Sequence, residues 1–179
     1  MKKLYQEYIG SISTKEMAAS YEVLQFISEH CINNDPARIL DLGSGISSAV
    51  LSSLGISGSI TTCDDNRNWL GKTVEFMQEH DLEGHEMVYW DEFKAEPQES
   101  YDFIFYDLGR IPVRLANMEY VFGLVNEGGC IFVDDTHKTP VRELCHSLVE
   151  KFGYEIIGES KKETLFPSGR YGILVQRTN

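Results

Sequence analysis

The chain has 179 residues, of which 42% are hydrophobic and 11% aromatic, and its net charge is −12 at pH 7. This length and composition predict one globular domain with a single sizeable core. The acidic balance disfavours nucleic acid as a partner, because binding a phosphate backbone requires a positive surface. No apolar run approaches the roughly 20 residues that span a bilayer. The four cysteines have neither disulfide nor zinc spacing, so we expect a cytoplasmic protein with reduced thiols.

The first predicted elements are a helix, a short buried strand and a glycine-containing turn. Ser13 or Thr14 is a candidate N-cap for a helix that runs to about Cys31. After Pro36, the apolar residues of 39–42 predict a strand. Residues 41–47 then read Asp-Leu-Gly-Ser-Gly-Ile-Ser, and helical spacing follows. Glycines permit a tight turn and close ligand approach, and the amides of the following helix face such a ligand.

Two further strands are predicted to end in acidic residues. Residues 59–63 predict a second strand that ends at Asp64 and Asp65, about twenty residues beyond the glycine turn. An acid at this position binds ribose hydroxyls in open α/β sheets, because a carboxylate offers two acceptor oxygens. Asp64 is in register with that position and Asp65 is the fallback. Residues 86–90 predict a third strand, which Asp91 ends.

The second half of the chain continues the alternation of strands and helices. Residues 101–107 predict a central buried strand that ends in Asp107, and residues 130–133 predict a fifth strand that leads into Asp134, Asp135 and His137. Residues 154–158 and 171–176 predict two closing strands, joined by a polar loop around Pro167. The pattern predicts an α/β fold with a Rossmann-like, doubly wound, mostly parallel seven-stranded sheet and an antiparallel C-terminal strand.

The glycine turn and the acidic strand ends resemble the class I S-adenosylmethionine-dependent methyltransferases, from about Ile39 to Gln176. The subgroup with a Gly-Ser-Gly-x-Ser turn, which includes the catechol-type O-methyltransferases, is the most similar. The resemblance implies one methyltransferase domain over 1–179, with 1–35 as a helical lid or cap and 36–179 as the Rossmann-like core. It implies an enzyme that transfers a methyl group from S-adenosylmethionine to a small molecule, at a hydroxyl oxygen.

The resemblance also assigns residues to the cofactor. It implies that the methionine end contacts the glycine turn, that the ribose lies on the acids after the second strand, and that the adenine lies near the end of the third. Asp107 stands beside the methyl group that is transferred. The cofactor residues so implied are Asp41, Gly43, Ser44, Gly45, Ser47, Asp64, Asp65, Asp91 and Asp107.

The chemistry of the acceptor site has two alternatives. Asp107, Asp134 and Asp135 match the metal-binding acids of the catechol-type enzymes, and oxygen ligands suit Mg²⁺. The lysine that serves as base in that family is replaced here by Arg110, which stays protonated. In the metal-free alternative, Asp107 ends the fourth strand without binding an ion, Asp134 and Asp135 are structural and cap the following helix, and His137 is the candidate base. Asp107, Asp134 and His137 are thus the candidate catalytic residues.

Several functional alternatives remain open at this point. The same fold serves N-methylation and protein methylation, and a non-catalytic member could bind the cofactor or a partner as a scaffold. A nicotinamide-dependent dehydrogenase is the remaining alternative, weakened by the missing third glycine. The sequence does not identify the acceptor molecule. It leaves the oligomeric state open, with a homodimer as one option.

Overall fold

The computed structural model describes residues 1–82, 84–96, 99–160 and 169–178. Its centre is a seven-stranded sheet of order β3-β2-β1-β4-β5-β7-β6. The strands are β1 (Arg38–Leu42), β2 (Ser59–Asp64), β3 (His85–Tyr89), β4 (Tyr101–Tyr106), β5 (Val125–Val133), β6 (Tyr154–Glu159) and β7 (Ile173–Arg177). β1 to β5 pair in parallel, and β7 is antiparallel to both β5 and β6. The predicted fold class, with one antiparallel C-terminal strand, is confirmed.

Helices cover both faces of the sheet. They are α1 (Lys2–Ser11), α2 (Tyr21–Asn34), α3 (Ile46–Ser52), α4 (Arg67–Glu79), α5 (Trp90–Ala95), α6 (Ile111–Phe122) and α7 (Thr139–Phe152). Ile39 and Phe105 face a core with α1 to α4, whereas Leu40 and Ile104 face a core with α5 to α7. This division follows from the alternation of side chains along a strand. Both faces of the central strands are therefore buried, as their near-continuous apolar runs predict.

The N-terminal region differs from its prediction. α1 occupies residues that carried no clear signal, and the next helix begins at Tyr21 instead of following Ser13 or Thr14. Its cap is Ser20, whose hydroxyl accepts a hydrogen bond from the Val23 amide at 3.2 Å. Residues 15–18 form a turn. The predicted role of residues 1–35 as a lid stays a prediction.

The third strand also ends earlier than predicted. β3 stops at Tyr89, and Trp90 begins α5. Trp90 and Phe93 lie one helical turn apart, and both are buried on the same face with stacked rings. Acidic residues in the first turn, Asp91 and Glu92, also favour a helix N-terminus. The prediction that Asp91 ends a strand is therefore wrong.

Two further observations complete the comparison with the sequence. None of the helices among the described residues is both long and apolar enough to cross a membrane. The closing strands are present at the predicted places, and the loop around Pro167 that joins them lies outside the described residues.

A chain of buried polar groups joins the first three strands beneath the glycine turn. The Thr62 hydroxyl lies 3.2 Å from Asp41 Oδ2 and 2.8 Å from His85 Nδ1. Because the hydroxyl has one hydrogen and the ionised carboxylate only accepts, Thr62 donates to Asp41 and accepts from His85 Nδ1–H. Burial lowers the pKa of His85 to about 4. The neutral ring is thus part of the fold.

We predict an acid sensitivity that comes from His85. In the unfolded chain its pKa is about 6.5, so the unfolded state binds the extra proton and stability falls as pH drops from about 6.5 to about 4. His85→Leu removes the donor to Thr62 and lowers the melting temperature at neutral pH. The difference in melting temperature between His85→Leu and the wild type should become smaller as the pH is lowered through that range. His146→Leu replaces an exposed histidine of α7 and is the control; its difference in melting temperature from the wild type should stay constant over the same pH range. A constant difference for His85→Leu would contradict the prediction.

Candidate active site

A cleft of about 720 Å³ opens at the carboxyl edge of the sheet, where β1 and β4 are neighbours. In open α/β sheets this switch in strand order is the position at which ligands bind. The glycine turn, the ends of β2, β4 and β5, and the segment before α2 form its walls. Among the lining residues are Met17, Gly43, Ser44, Asp64, Asp65, Trp69, Asp107, Gly109, Arg110, Arg114, Asp135, His137, Lys138 and Arg170.

The glycine turn packs directly against the end of β4. Gly43 has a φ of +99°, and a Cβ on this residue would lie 2.4 Å from the carbonyl oxygen of Asp107. Only glycine permits both the backbone conformation and this approach. On the other side, the Tyr8 hydroxyl of α1 lies against Gly45, where a Cβ would be 2.9 Å away. Gly43 and Ser44 line the cleft.

Asp41 and Ser47 lie beneath the turn and do not reach the cleft. Asp41 is 0% exposed, and its carboxylate accepts hydrogen bonds from Ser47, Ser48 and Thr62. Burial raises the Asp41 pKa to about 6, although the three hydroxyl donors oppose the shift. Asp41 and Ser47 therefore hold the turn onto the sheet. Their assignment to the cofactor stays a prediction.

The acids after β2 both line the cleft. Asp64 accepts from the amide and hydroxyl of Ser44, each at 2.8 Å, and from the Asn66 amide at 2.8 Å. Three of its roughly four acceptor sites are therefore in use. Asp65 is half-buried and lies against Gly109, where a Cβ would be 2.6 Å from Asp65 Oδ2. Asp65 thus spans the cleft from β2 to the loop after β4.

Asp91, by contrast, lies away from the cleft. Its side chain is exposed in the first turn of α5 and pairs with Lys94 at 3.1 Å. The structure brings Trp69 to the cleft instead, with the indole N–H donating to the Ser44 carbonyl at 2.8 Å. Sequence spacing alone does not single out Trp69 as a cleft residue. Its place one turn after the Asn66 cap, beside the acids of β2, was the available signal.

Three aspartates follow the ends of β4 and β5, and we call Asp107, Asp134 and Asp135 the acidic cluster. Arg114 of α6, which is 3% exposed, forms ion pairs with Asp107 and, at 3.1 Å, with Asp135. The guanidinium of Arg170 lies 3.7 Å from Asp134 and 3.6 Å from Asp135. No local sequence motif marks either arginine as a cation that pairs with acids of other elements.

Burial and neighbouring charges shift the pKa values of the acidic cluster in different directions. Burial raises the pKa of Asp107 to about 7, with Arg114 opposing and Asp134 adding to the shift. Burial likewise raises the pKa of Asp134, which is 1% exposed and does not line the cleft. For Asp135, burial is outweighed by the hydrogen bond from Lys138 and the charge of Arg114, so its pKa is lowered. Asp135 is thus the member held as an anion.

His137 lies at the cleft wall beside the acidic cluster. Its Nδ1 is buried without a hydrogen-bond partner and lies 3.6 Å from Asp135 Oδ1. At this distance the two atoms do not form a hydrogen bond. A small shift of the ring would place Nδ1–H on Asp135 and leave Nε2 to face a ligand. The metal-free arrangement of the sequence prediction is thus geometrically available.

Comparison with known proteins supports the fold. No known protein family and no curated protein matches the sequence. The chain is similar to the O-methyltransferase from Bacillus cereus in complex with SAH, with a TM-score of 0.72, 15% identity, and coverage of 99% of this chain and 90% of that one. It is also similar to a SAM-dependent O-methyltransferase from Thermotoga maritima (TM-score 0.74, 16% identity, 98% and 71% coverage).

An rRNA methylase from Streptococcus thermophilus is a third structural neighbour, with a TM-score of 0.66, 18% identity, and coverage of 88% of this chain and 95% of that one. All three named neighbours are methyltransferases. At this identity the likeness establishes the fold, and function lies in the site. The chain therefore has the fold of the class I methyltransferases over almost its whole length.

Replacement of Gly43 by alanine should push the glycine turn away from the end of β4 and destabilise the protein. The new Cβ would collide with the Asp107 carbonyl, and positive φ strains any other residue, so we expect a loss of stability on the order of 3 kcal/mol. Gly71→Ala is the matched control, because Gly71 is an exposed residue of α4 with no atom near its added Cβ. It should gain about 0.5–1 kcal/mol. Urea unfolding measures both; equal stability of Gly43→Ala and the wild type would contradict the packing described.

Proposed function

We propose that the protein transfers a methyl group from S-adenosylmethionine to a small molecule, at a hydroxyl oxygen. The observation that carries this proposal is the cleft between β1 and β4, bounded by the glycine turn and by acids from β2 and β4. Its volume of about 720 Å³ is within the usual range for a ligand pocket. Two structural neighbours named above are O-methyltransferases, which favours oxygen as the acceptor atom.

The residues of the cleft suit this cofactor. The backbone of Gly43 and Ser44 would contact its methionine end, and the ribose hydroxyls would donate to Asp64 and Asp65. Asp64 has about one acceptor site left, so Asp65 supplies the remainder. Trp69 offers an aromatic surface beside them. The cofactor supplies an activated methyl group, and in-line attack depends chiefly on how the protein orients the acceptor oxygen.

We infer that His137 removes the proton from the acceptor. Its Nε2 would take the proton, while Asp135, whose pKa is lowered, stabilises the imidazolium through Nδ1. Arg110 also lines the cleft but stays protonated and cannot serve as the base. Asp107 lines the floor, but its carboxylate pairs with Arg114. Asp134 is too deeply buried to touch an acceptor, so we assign it a supporting role.

We infer further that the protein works in the cytoplasm. The four cysteines are free and buried, and burial raises the pKa of Cys63, so its reactive thiolate is suppressed. Buried thiols that do not form disulfides suit a reducing compartment. The net charge of −12 favours a small acceptor over RNA.

Binding of S-adenosylhomocysteine tests the cofactor assignment. We expect saturable binding by calorimetry, with a change in Trp69 fluorescence. Asp65→Asn should weaken it by about tenfold or more, because a hydrogen bond to a charged group contributes about 1.5–3 kcal/mol. Asp91→Asn removes an exposed acid outside the cleft and should bind as the wild type does. If the wild type does not bind S-adenosylhomocysteine, the proposed function is wrong.

The role of His137 is tested by methyl transfer to a panel of phenols, alcohols, amines and short RNAs. We expect turnover with hydroxyl compounds, and His137→Gln should lower kcat by about a hundredfold or more, the usual contribution of a general base. Affinity for S-adenosylhomocysteine should not change. His146→Gln, on the exposed face of α7, is the matched control. Turnover of amines alone would refute the assignment to hydroxyl oxygen, and turnover of RNA alone would refute the small-molecule acceptor.

A further inference from the structure

We propose that Arg114 and Arg170 occupy the place that a divalent cation would take in the acidic cluster, so that the protein binds no divalent metal there. This inference concerns charge and packing, and it holds whether or not the chain transfers methyl groups. The three aspartates carry up to three negative charges at the ends of β4 and β5. Arg114, Arg170 and Lys138 all lie within 4 Å of these carboxylates and balance them.

Arg114 is held from several directions. Its guanidinium contacts the carboxylates of Asp107 and Asp135 and lies within 3.4 Å of the backbone carbonyls of Asp107, Leu108 and Gly109. An ion between the two aspartates would have to displace this group. Removing it would also leave the three carbonyls of the loop after β4 without their charged donor, and buried polar groups without partners are costly.

The remaining oxygens of the acidic cluster do not form a coordination site. Asp134 Oδ2 and Asp135 Oδ1 are buried without hydrogen bonds, yet each faces the Arg170 guanidinium at 3.6–3.7 Å. A divalent ion there would lie against an arginine, which cannot lose its charge. Within the described part of the chain, no group of three or more His, Cys, Asp or Glu side chains is arranged to hold a metal ion.

Arg170 also connects this charge balance to the cleft wall. Its guanidinium donates to the carbonyl oxygens of Glu16 at 3.2 Å and Ala18 at 2.9 Å, in the turn before α2. Met17 of the same turn is 70% exposed and lines the cleft. One arginine thus contacts both the buried acids and the wall, a link that a bare ion would not supply. The three sequence-predicted metal ligands therefore do not fit the ion, and we assign Arg114 and Arg170 as positioning residues.

The first test is a titration of the full-length wild type, freed of metal with EDTA, with Mg²⁺ and with Mn²⁺. We expect no saturable heat by calorimetry, and the same melting temperature in EDTA and in millimolar Mg²⁺. A saturable one-to-one signal that Asp135→Asn abolishes would overturn the proposal. The titration needs neither cofactor nor acceptor, so its result is separate from that of the S-adenosylhomocysteine experiment.

The second test asks whether removal of the guanidinium creates the metal site. Arg114→Met removes the guanidinium that lies between Asp107 and Asp135. Its melting temperature should therefore fall and then rise again with Mn²⁺, because an ion that binds only the folded state stabilises it. Arg114→Lys keeps the charge and should not respond. Arg67→Met, which breaks an exposed ion pair with Glu92, is the control for arginine loss. If Arg114→Met folds and its melting temperature does not change with Mn²⁺, the result counts against the proposal. If this variant does not fold, the titration of the wild type decides alone.

Discussion

The contact between Gly43 and the backbone of Asp107 is the constraint on which the site depends. The Asp107 amide donates to the Leu42 carbonyl at 2.8 Å, so β1 and β4 remain paired to their last residues. Beyond this point the two segments of the chain separate: the one after β1 forms the glycine turn, and the one after β4 forms the loop before α6. Their separation forms the cleft. Any side chain at position 43 would force the strand ends apart.

The strands were predictable because central parallel strands are buried on both faces and read as continuous apolar runs. The wrongly predicted element boundaries lie where the local sequence is compatible with more than one structure. Ser13, Thr14 and Ser20 can each cap a helix, and only packing selects Ser20. β5 begins at Val125, although Gly128 and Gly129 are typical of a turn. The Asn126 side chain donates a hydrogen bond to Asp102 of β4 at 2.6 Å. This contact joins residues that are distant in the sequence, so the sequence pattern does not reveal it.

The acidic residues of the site illustrate the same limit. Asp64, Asp65 and Asp107 follow strand ends and reach the cleft, since parallel strands present their carboxyl ends at one edge of the sheet. Asp41, one residue before the end of β1, points inward among hydroxyl groups. Sequence spacing could identify the acids, but not which of them water or a ligand can reach. The arginines that pair with the acidic cluster come from α6 and from the segment before β7. Sequence spacing gives no sign of that convergence.

The position of β7 between β5 and β6 has a consequence for the order of folding. β6 emerges from the ribosome first, yet it pairs with β7, which follows it in the chain. Until residues 170–177 have been synthesised, β5 has an open edge and Asp134 has no Arg170 beside it. A nascent chain that ends before Arg170 therefore carries five parallel strands without the β7 pairing and without the Arg170 contacts to Asp134 and Asp135. Products that end before β7 expose the edge of β5, which invites pairing with other chains, and the addition of β7 covers that edge.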